Sequence, residues 1–359
     1  MISQTKKVLF FGIYDPDYSR SRVLIRGFKQ NGFEVVECRV NPRTFSGLNK
    51  FIELYKQFKK IKNNTFEFVI VGFPGHSIVW LARILLGKDI IFDAFLSLYD
   101  SNVKDRKRYS SFHPRALYDW FLDWFSCQLS RYILVDTNEH IQYFAETFFI
   151  SRKKLIRVLI SADEEIFYPR KTLTTGDPLV VHFHGMFIPL QGIQYILDAA
   201  YILKNENIFF RIIGAGQEFE RMKLYSKKLL LANVEFVGKI PFEDIPKWIA
   251  DSHVCLGIFG DTEKTKRVIP NKVYEYVAMG KTVITANTPA IREVFTHELN
   301  MIFCNLADGD SIAKAISGIK SNPKMFEKIG VNARKLFEKE LLAKTLINEL
   351  LININNDEN

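Results

Sequence analysis

The chain has 359 residues, 47% of them hydrophobic and 25% charged, so it has the composition of an ordinary folded protein and is long enough for two domains. Its four cysteines, Cys38, Cys127, Cys255 and Cys304, form no C-x-x-C pair, which excludes a disulfide framework and a zinc site of that type and favours buried, reduced thiols. The net charge is +9, and residues 1–170 carry +8 of it, so we expect the first half to face an anion such as a phospholipid surface, a lipid diphosphate or nucleic acid.

The sequence gives no sign of a targeting or membrane-spanning segment. MISQTKK leads directly into the strand-like run VLFFG, without the apolar stretch and cleavage site of a signal peptide. No apolar run approaches the roughly 20 residues that a spanning helix needs. We therefore expect a cytoplasmic protein that can rest on the inner face of the plasma membrane.

The first half alternates apolar runs typical of buried strands with helix-length segments. Strands are predicted at Lys7–Phe11, Glu34–Glu37, Glu67–Val71, Asp89–Phe92 and Tyr132–Val135. A helix is predicted over Ser19–Asn31, and Gly32 can close it. This alternation indicates a parallel sheet with crossover helices.

Two helical segments of the first half combine apolar and basic or aromatic residues. In residues 43–62, apolar side chains recur at near-helical spacing: Leu48, Phe51, Ile52, Tyr55, Phe58 and Ile61. Lysines fill the positions between them: Lys50, Lys56, Lys59, Lys60 and Lys62. The second segment, Leu117–Leu129, is rich in Trp and Phe, and a short basic run starts at Lys104. Either helix could lie on anionic lipid, and either could be an ordinary domain helix with a solvated face.

Residues 163–178 break the alternation with prolines, a glycine and several threonines, which indicates a linker. The alternation then restarts. Further strands are predicted at Leu179–Phe183, Phe209–Ile213, Val234–Val237, Val254–Gly257 and Thr282–Thr285. Further helices are predicted at Ile193–Leu203, Glu218–Leu231, Asp244–Ala250, Lys272–Met279, Ile312–Lys320 and Pro323–Phe337. We expect domains at 1–168 and 179–340, a linker at 169–178, and a C-terminal helix with a polar tail at 341–359.

Residues 267–294, RVIPNKVYEYVAMGKTVITANTPAIREV, are the most informative segment. Pro270 and Asn271 are typical of a helix start, and Gly280 ends that helix. Glu275 then lies one turn inside, near the positive N-terminal end of the helix. A carboxylate there can accept two hydroxyl protons, so the vicinal hydroxyls of a ribose are candidates. A solvated helix glutamate is the plain alternative.

The run P-N-K-V-Y-E-Y-V-A-M-G-K-T-V-I-T resembles the donor-binding signature of retaining GT-B glycosyltransferases of family 4. Two upstream runs, HFHGMFIPLQGIQYILDAA and FRIIGAGQEFERMKLYSKKLLLANVEFVGKIPFEDIPKWIADSHVCLGIF, resemble the same family, so the resemblance covers nearly all of the second half. It implies an α/β protein of GT-B fold, with two Rossmann-like doubly wound parallel-sheet domains facing across a cleft. It also implies that Glu275 holds the ribose of a nucleotide sugar and that transfer retains the anomeric configuration.

The chain departs from the family at three positions. The family usually has a second Glu eight positions before Glu275, where this chain has Arg267. It often has Arg and Lys in the glycine loop, where this chain has Met186 and Gln191. Because a metal-free site must neutralise a leaving diphosphate with fixed cations and backbone N–H groups, we expect Arg267 and Lys272 to take over that charge. A different leaving group or a weakened enzyme is the alternative.

The remaining donor-side candidates are a helix-start residue and glycines whose backbone can approach phosphate or base closely. They are Asn271, Gly12, Gly185, Gly214 and Gly216. Gly214 and Gly216 begin a pattern like the dinucleotide fingerprint, but its third glycine is replaced by Phe219, so a loop of the GT-B type is favoured over an NAD site.

No metal or cofactor is expected besides the nucleotide sugar. The D-x-D strings Asp15–Asp17 and Asp308–Asp310 are expected to be a loop and a helix cap. No histidine or carboxylate cluster in the sequence has metal-ligand spacing.

The first half supplies the acceptor-side candidates. Asp93 ends the fourth predicted strand, near where the family often has a His, and Ser97 and Asp100 follow it. A carboxylate there could orient an acceptor hydroxyl or stabilise an oxocarbenium-like transition state, so Asp93 is predicted to be catalytic together with Arg267, with a helix cap as the alternative. His76, after the third strand, is a further acceptor-side candidate or a surface histidine.

We therefore expect a metal-independent retaining glycosyltransferase of hexosyl type that uses a nucleoside-diphosphate sugar and a lipid-linked or cell-envelope glycan as acceptor. One alternative is a sugar-nucleotide epimerase of the same fold, with Asp93, Asp100 and His76 as its acid–base groups. Another is a non-catalytic binding subunit that lost donor binding with the Arg/Lys pair. The basic first half also suits nucleic acid, but no recognised motif supports that partner.

Overall fold

A computed structural model describes residues 6–42, 44–45, 47–170 and 178–358. The chain divides into two units. The first unit comprises Met1–Val103, Lys107–Ser161 and Leu342–Asn359, and the second comprises Lys104–Arg106 and Ala162–Leu341. Residues 171–177, which are most of the predicted linker, lie outside the described residues, as do positions 43 and 46 of the predicted amphipathic segment.

The described part of the first unit contains a six-stranded parallel sheet in the order β2-β1-β3-β4-β5-β6. The strands are β1 (Lys7–Gly12), β2 (Glu34–Arg39), β3 (Phe68–Val71), β4 (Ile90–Phe95), β5 (Tyr132–Val135) and β6 (Leu155–Arg157). The sequence predicts the first five. It does not predict β6, because three residues at a sheet edge are too short to show a recognisable pattern.

Helices cover both faces of this sheet. They are α1 (Ser19–Gln30), α2 (Asn49–Ile61), α3 (Val79–Leu86), α4 (Pro114–Leu129) and α5 (Asn138–Thr147). Leu9 and Phe11 of β1 belong to a core shared with α2, α3, α4 and α5. The alternate residues Val8 and Phe10 belong to a core on the other face, shared with α1.

The second unit, within its described residues, has a six-stranded parallel sheet in the order β12-β11-β10-β7-β8-β9. The strands are β7 (Leu179–His184), β8 (Ile208–Ile213), β9 (Val234–Gly238), β10 (Val254–Leu256), β11 (Thr282–Ala286) and β12 (Ile302–Cys304). The sequence predicts all of these except the short edge strand β12.

The helices of the second unit surround this sheet, and a last helix returns to the first unit. They are α6 (Ile193–Ile202), α7 (Phe219–Lys228), α8 (Ile245–Ala250), α9 (Glu263–Arg267), α10 (Asn271–Ala278), α11 (Pro289–Arg292), α12 (Gly309–Ser321) and α13 (Pro323–Leu336). The side chain of Asp308 caps α12, as predicted, by accepting from the N–H of Ser311.

The last helix, α14 (Ala343–Glu358), extends into the residues expected to form a polar tail. It packs against α1 in the first unit, where Ile347, Leu350 and Ile354 join the same core as Leu24 and Phe28. The four cysteines are buried free thiols, as predicted. Among the helices that the structure describes, none is long and apolar enough to cross a bilayer.

Candidate functional site

Helix α10 places Glu275 in the interior of the second unit. Pro270 precedes the helix in an extended conformation and Asn271 is its first residue, as the sequence predicts. Glu275 lies one turn further on and is only 4% exposed, so it is not a solvated helix glutamate. Its Oε2 lies 2.8 Å from Nε2 of His184, the last residue of β7.

Burial controls the protonation of this pair. It raises the pKa of Glu275 to about 8, against the opposing effect of the Lys272 charge. Burial, and then the charge of Lys272, lower the pKa of His184 well below its usual range. His184 is therefore neutral at pH 7, and Glu275 titrates slightly above neutral pH.

Lys272 brings a positive charge to the loop that follows β7. Its side chain is buried, its Nζ donates to Oε1 of Gln191, and it lies 3.5 Å from the centroid of the Phe183 ring. A Cβ placed on Gly185 would lie 3.3 Å from the same Nζ, so the ammonium lies against that backbone. Burial lowers the pKa of Lys272 well below its usual range, although the nearby Glu275 raises it.

Two histidines and a tyrosine form a buried chain behind Glu275. Nδ1 of His184 lies 3.0 Å from Nε2 of His182 and 3.1 Å from the hydroxyl of Tyr276. The same hydroxyl accepts from the backbone N–H of His184 at 3.3 Å. The sequence analysis did not predict this series of hydrogen-bonded side chains. The signal is present in LVVHFH, because a spacing of two places both histidines on one face of β7.

The glycines that follow β7 and β8 lie against each other. Gly185 and Gly214 have φ of 153° and 137°. A Cβ on Gly214 would collide with the carbonyl oxygen of Gly185, and one on Gly216 would lie 2.6 Å from backbone atoms of Phe187. Close packing of the two loops therefore already requires glycine at positions 214 and 216, and their part in donor binding stays a prediction.

The second predicted cation, Arg267, is the last residue of α9 and is partly exposed. Two neighbouring lysines have other environments: Lys266 pairs with Glu263 at 2.6 Å, and Lys264 is buried. The contact between Arg267 and a diphosphate stays a prediction.

In the first unit, Asp93 forms a buried ion pair with Arg20. Asp93 lies inside β4, two residues before the strand ends at Phe95. Its Oδ1 accepts from Nη2 of Arg20 at 2.9 Å and from Nε at 3.1 Å. Nη1 of Arg20 donates to the carbonyls of Val158 and Leu159 at 2.5 and 3.0 Å. Burial raises the pKa of Asp93, and Arg20 opposes that rise. This pair gives Asp93 a structural partner, and its catalytic role stays a prediction.

His76, Ser97 and Asp123 form a second buried cluster in the first unit. Asp123 accepts from the hydroxyl of Ser97 at 2.6 Å and from the N–H of Tyr99 at 2.9 Å. Nε2 of His76 lies 3.3 Å from Oδ1 of Asp123, without hydrogen-bond geometry. Burial lowers the pKa of His76 to about 3 and raises that of Asp123 to about 7. His76 is therefore a buried residue, not a surface histidine.

Asp100 is also buried, and its N–H donates to the Ser97 hydroxyl at 2.9 Å. It begins a π-helical turn at Asp100–Asp105. Such turns are rare and occur frequently at functional sites. Within the residues that the structure describes, no group of three or more His, Cys, Asp or Glu side chains could hold a metal ion.

The buried side chains of Lys272, Glu275, His182 and His184 fall in one stretch of the second unit that matches a known family. The sequence profile of Glycosyl transferases group 1 matches residues 164–336. Residues 164–336 form a glycosyl transferases group 1 domain. This domain contains Lys272, Glu275 and the histidines of β7, and it accounts for nearly all of the second unit.

Relatives of the chain carry glycosyltransferase names. An uncharacterized glycosyltransferase of Methanocaldococcus jannaschii is 19% identical over 195 residues, which cover 52% of this chain and 50% of that protein. The putative colanic acid biosynthesis glycosyl transferase WcaI of Escherichia coli K12 is 24% identical over 215 residues, covering 56% and 51%. The matches thus span about half the length of these relatives.

A solved structure matches almost the whole chain. HepE of Anabaena, crystallised with UDP and glucose, superposes with a TM-score of 0.74 at 11% identity, covering 98% of this chain and 100% of that one. At this identity the likeness shows the fold, which is the GT-B fold with two Rossmann-like parallel sheets. The predicted fold class is confirmed.

The predicted site residues fall into separate groups. In the glycosyl transferases group 1 domain, Glu275, Lys272 and Gly185 come together with the unpredicted His184 and with Gln191. The candidates of the first unit lie around two centres that the sequence interpretation did not identify, Arg20 and Asp123. Gly12 ends β1 in that same unit.

Proposed function

We propose that the chain is a retaining glycosyltransferase of family 4, of hexosyl type and independent of metal ions, that transfers a sugar from a nucleoside-diphosphate sugar. One observation carries the proposal. An acidic and a basic side chain from α10, Glu275 and Lys272, are buried against the end of β7 and the backbone of Gly185, inside a glycosyl transferases group 1 domain.

Each group has a defined task in this proposal. Glu275 accepts hydrogen bonds from the ribose hydroxyls of the donor. Lys272 neutralises the diphosphate together with Arg267, and the N–H groups at the start of α10, near Asn271, add to the positive field. Because negative charge grows on the leaving diphosphate, fixed cations in a buried site stabilise the transition state more than the ground state. The acceptor hydroxyl attacks on the face from which the diphosphate leaves, so no protein nucleophile is required.

The position of Lys272 supports this assignment. The resembled family often has a lysine where this chain has Gln191, and the Gln191 amide accepts from Lys272. In this chain the ammonium group near position 191 therefore comes from Lys272 of α10, and not from a lysine of the loop. In this proposal, Lys272 of α10 supplies the charge that the loop lacks in sequence.

For the acceptor we propose a lipid-linked or cell-envelope glycan, because the WcaI relative is named for colanic acid biosynthesis. Asp100 and His76 remain the acceptor-side candidates of the first unit. Asp93, as a catalytic group, and Ser97, as an acceptor-side group, stay part of the proposal, and their polar atoms are bonded to Arg20 and Asp123.

We also propose that the first unit binds an anionic membrane through one surface, the α2–α4 surface. Large apolar side chains are exposed there: Leu48, Ile52, Tyr55, Trp80, Ile84, Phe112, Leu117, Tyr118 and Phe121. Helices α2 and α3 meet through the rings of Phe51 and Trp80, whose centroids are 6.3 Å apart, and α3 packs against α4. Large exposed apolar patches mark sites that contact proteins or membranes.

The charges on the α2–α4 surface favour anionic lipid as the partner. The exposed basic residues of the first unit between residues 48 and 121 are Lys56, Lys59, Lys60, Lys62, Lys88, Lys107, Arg108 and Arg115. The exposed acids between residues 48 and 121 are Glu67 and Asp89, which pair with Lys6 and Arg131. Interleaved apolar and basic side chains are the pattern of surfaces that insert shallowly into anionic bilayers.

Calorimetric titration with UDP-glucose and GDP-mannose tests the donor proposal. UDP-glucose is the first donor to test, because HepE was crystallised with UDP and glucose. We expect at least one nucleotide sugar to bind the wild type and Glu275→Ala to weaken it on the order of 10-fold or more, since a buried carboxylate would no longer hold two hydroxyls. Glu220→Ala, at an exposed site on α7, is the control and should bind as the wild type does. Equal affinity of Glu275→Ala and wild type for every donor would disprove the assignment.

A further inference from the structure

The hydrogen bonds that link the side chains behind Glu275 run in a definite direction from donor to acceptor. Nδ1 of His182 is buried and has no hydrogen-bond partner among the described residues. Orphaned buried N–H groups are rarer than under-satisfied acceptors, because a donor without a partner forfeits its full hydration. The proton of His182 therefore belongs on Nε2, which lies 3.0 Å from Nδ1 of His184.

Tyr276 is compatible with the same direction. Its hydroxyl accepts the backbone N–H of His184, so its own proton is free to point at Nδ1 of His184, 3.1 Å away. Nδ1 of His184 has a single lone pair, and it accepts from Nε2 of His182. A neutral imidazole carries one proton, and when Nδ1 accepts, that proton is on Nε2. Nε2 lies 2.8 Å from Oε2 of Glu275 and donates to it.

We propose that His184 is a positioning residue: it donates from Nε2 to Oε2 of Glu275 and so keeps this carboxylate in the acceptor form that a ribose diol needs. The inference rests on the proposed binding of a nucleotide sugar by Glu275. His182 and Tyr276 act one step behind, by fixing the tautomer of His184.

Every titratable group that faces Glu275 is consistent with this role. From β7 come His184 and, behind it, His182; from α10 come Lys272 and Tyr276. Burial, the neighbouring His184 and the more distant charges of Arg211, Lys272 and Lys281 all lower the pKa of His182, so both histidines are neutral. Burial alone favours the protonated acid at position 275, and the His184 donor opposes that tendency.

The consequence is a pH dependence with a known sign. The ribose hydroxyls donate to the carboxylate, so donor affinity rises with pH as Glu275 ionises around pH 8. Removal of the His184 donor disfavours the anion and displaces this rise upward by about one to two pH units. UDP-glucose is the suitable probe, because its diphosphate does not titrate between about pH 6 and pH 9.

The first experiment is calorimetric titration of the full chain with UDP-glucose from pH 6 to pH 9. We expect His184→Ala to weaken binding at pH 7 on the order of 10-fold, and its affinity to keep rising up to pH 9, where that of the wild type levels off. His184→Gln, whose amide N–H can occupy the position of Nε2, should restore the wild-type profile. In a Glu275→Gln background His184→Ala should have little further effect. An unchanged pH profile in His184→Ala, or additive effects of the two substitutions, overturns the proposal.

The second experiment needs no ligand. Nitrogen-15 NMR of histidine-labelled wild-type protein at about pH 9, where Glu275 is ionised, should show His184 as the Nε2–H tautomer. The Nδ1–H tautomer there overturns the proposal even if His184→Ala fails to fold. If Glu275→Gln binds UDP-glucose like the wild type, the ribose role of Glu275 fails. The NMR result still decides the His184–Glu275 hydrogen bond, so the two failures are distinguishable.

Discussion

The ammonium of Lys272 donates a hydrogen bond to the amide of Gln191, although the two residues belong to different elements. This contact defines the position of the positive charge in the site. The ammonium lies against Gly185 and above the ring of Phe183. Position 191 belongs to the loop after β7, whereas position 272 belongs to the first turn of α10. A charge at this point can therefore be supplied from either backbone.

We predict that Lys272→Met weakens binding of UDP on the order of 10- to 100-fold, because a charge-assisted contact to phosphate contributes about 1.5–3 kcal/mol. Binding of uridine should change much less, since it has no phosphate. Adding Gln191→Lys to Lys272→Met should restore part of the UDP affinity. Calorimetry measures all three, with Lys266→Met, at an exposed surface pair, as the control. Equal losses for UDP and uridine would contradict this role.

At single residues, the sequence was informative where a motif concentrates function and silent where partners are distant along the chain. The helix start at Pro270 and the site of Glu275 follow from local rules of helix capping. The partner of Glu275 is 91 residues away, and the partner of Asp93 is 73 residues away. Nothing local to Arg20 or His184 identifies these pairings, because they depend on strand order.

At the scale of elements, the side chain of Arg20 links three parts of the first unit: α1, β4 and the segment after β6. It lies in the first turn of α1, and its guanidinium donates to Asp93 within β4 and to the carbonyls that follow β6. Both side chains are fully buried. Removing one partner of such a pair leaves an uncompensated charge in the interior.

We predict that Arg20→Met destabilises the first unit by about 3–5 kcal/mol, whereas Arg22→Met, two residues along α1 in a surface pair with Asp17, costs about 1 kcal/mol or less. Urea unfolding followed by circular dichroism measures both. Replacing both partners, with Arg20→Met and Asp93→Leu, should recover part of the loss, because no unpaired charge then remains. Similar stability of Arg20→Met and Arg22→Met would show that the buried pair does not hold these elements.

For the elements, the sequence predicts ten strands correctly and misses the two three-residue edge strands, β6 and β12. Period and apolar content identify strands that are buried on both faces, and edge strands have little of either. Local sequence patterns also do not predict where α14 packs. Its packing on α1 is a long-range contact, which a run of residues at the end of the chain cannot reveal.

At the scale of the whole molecule, the first unit combines the basic excess of the chain with nine exposed large apolar side chains between residues 48 and 121. The segment 43–62 illustrates how the structure sharpens a sequence pattern. Of its apolar residues, Phe51, Phe58 and Ile61 pack on the core of the first unit, whereas Leu48, Ile52 and Tyr55 are exposed. The sequence alone could not separate these two sets, because both recur at helical spacing.

The exposed set makes a prediction about membrane binding. Wild-type protein should sediment with vesicles that contain phosphatidylglycerol, and less with phosphatidylcholine alone or at high salt. Ile84→Glu should lower the affinity on the order of 10-fold or more, because Ile84 is 71% exposed on the α2–α4 surface and would no longer insert. Lys59→Glu with Lys60→Glu should lower it similarly, since each basic residue near the surface contributes about 1 kcal/mol.

The matched control is Leu224→Glu, which adds the same charge at a leucine that is 66% exposed on α7 of the second unit. If membrane contact is made by the α2–α4 surface, this variant sediments as the wild type does. Equal losses for Ile84→Glu and Leu224→Glu would mean that added negative charge anywhere reduces binding, and the α2–α4 surface would have no special part. If Ile84→Glu loses vesicle binding and Leu224→Glu does not, membrane binding explains both the exposed apolar residues and the basic excess of the first half.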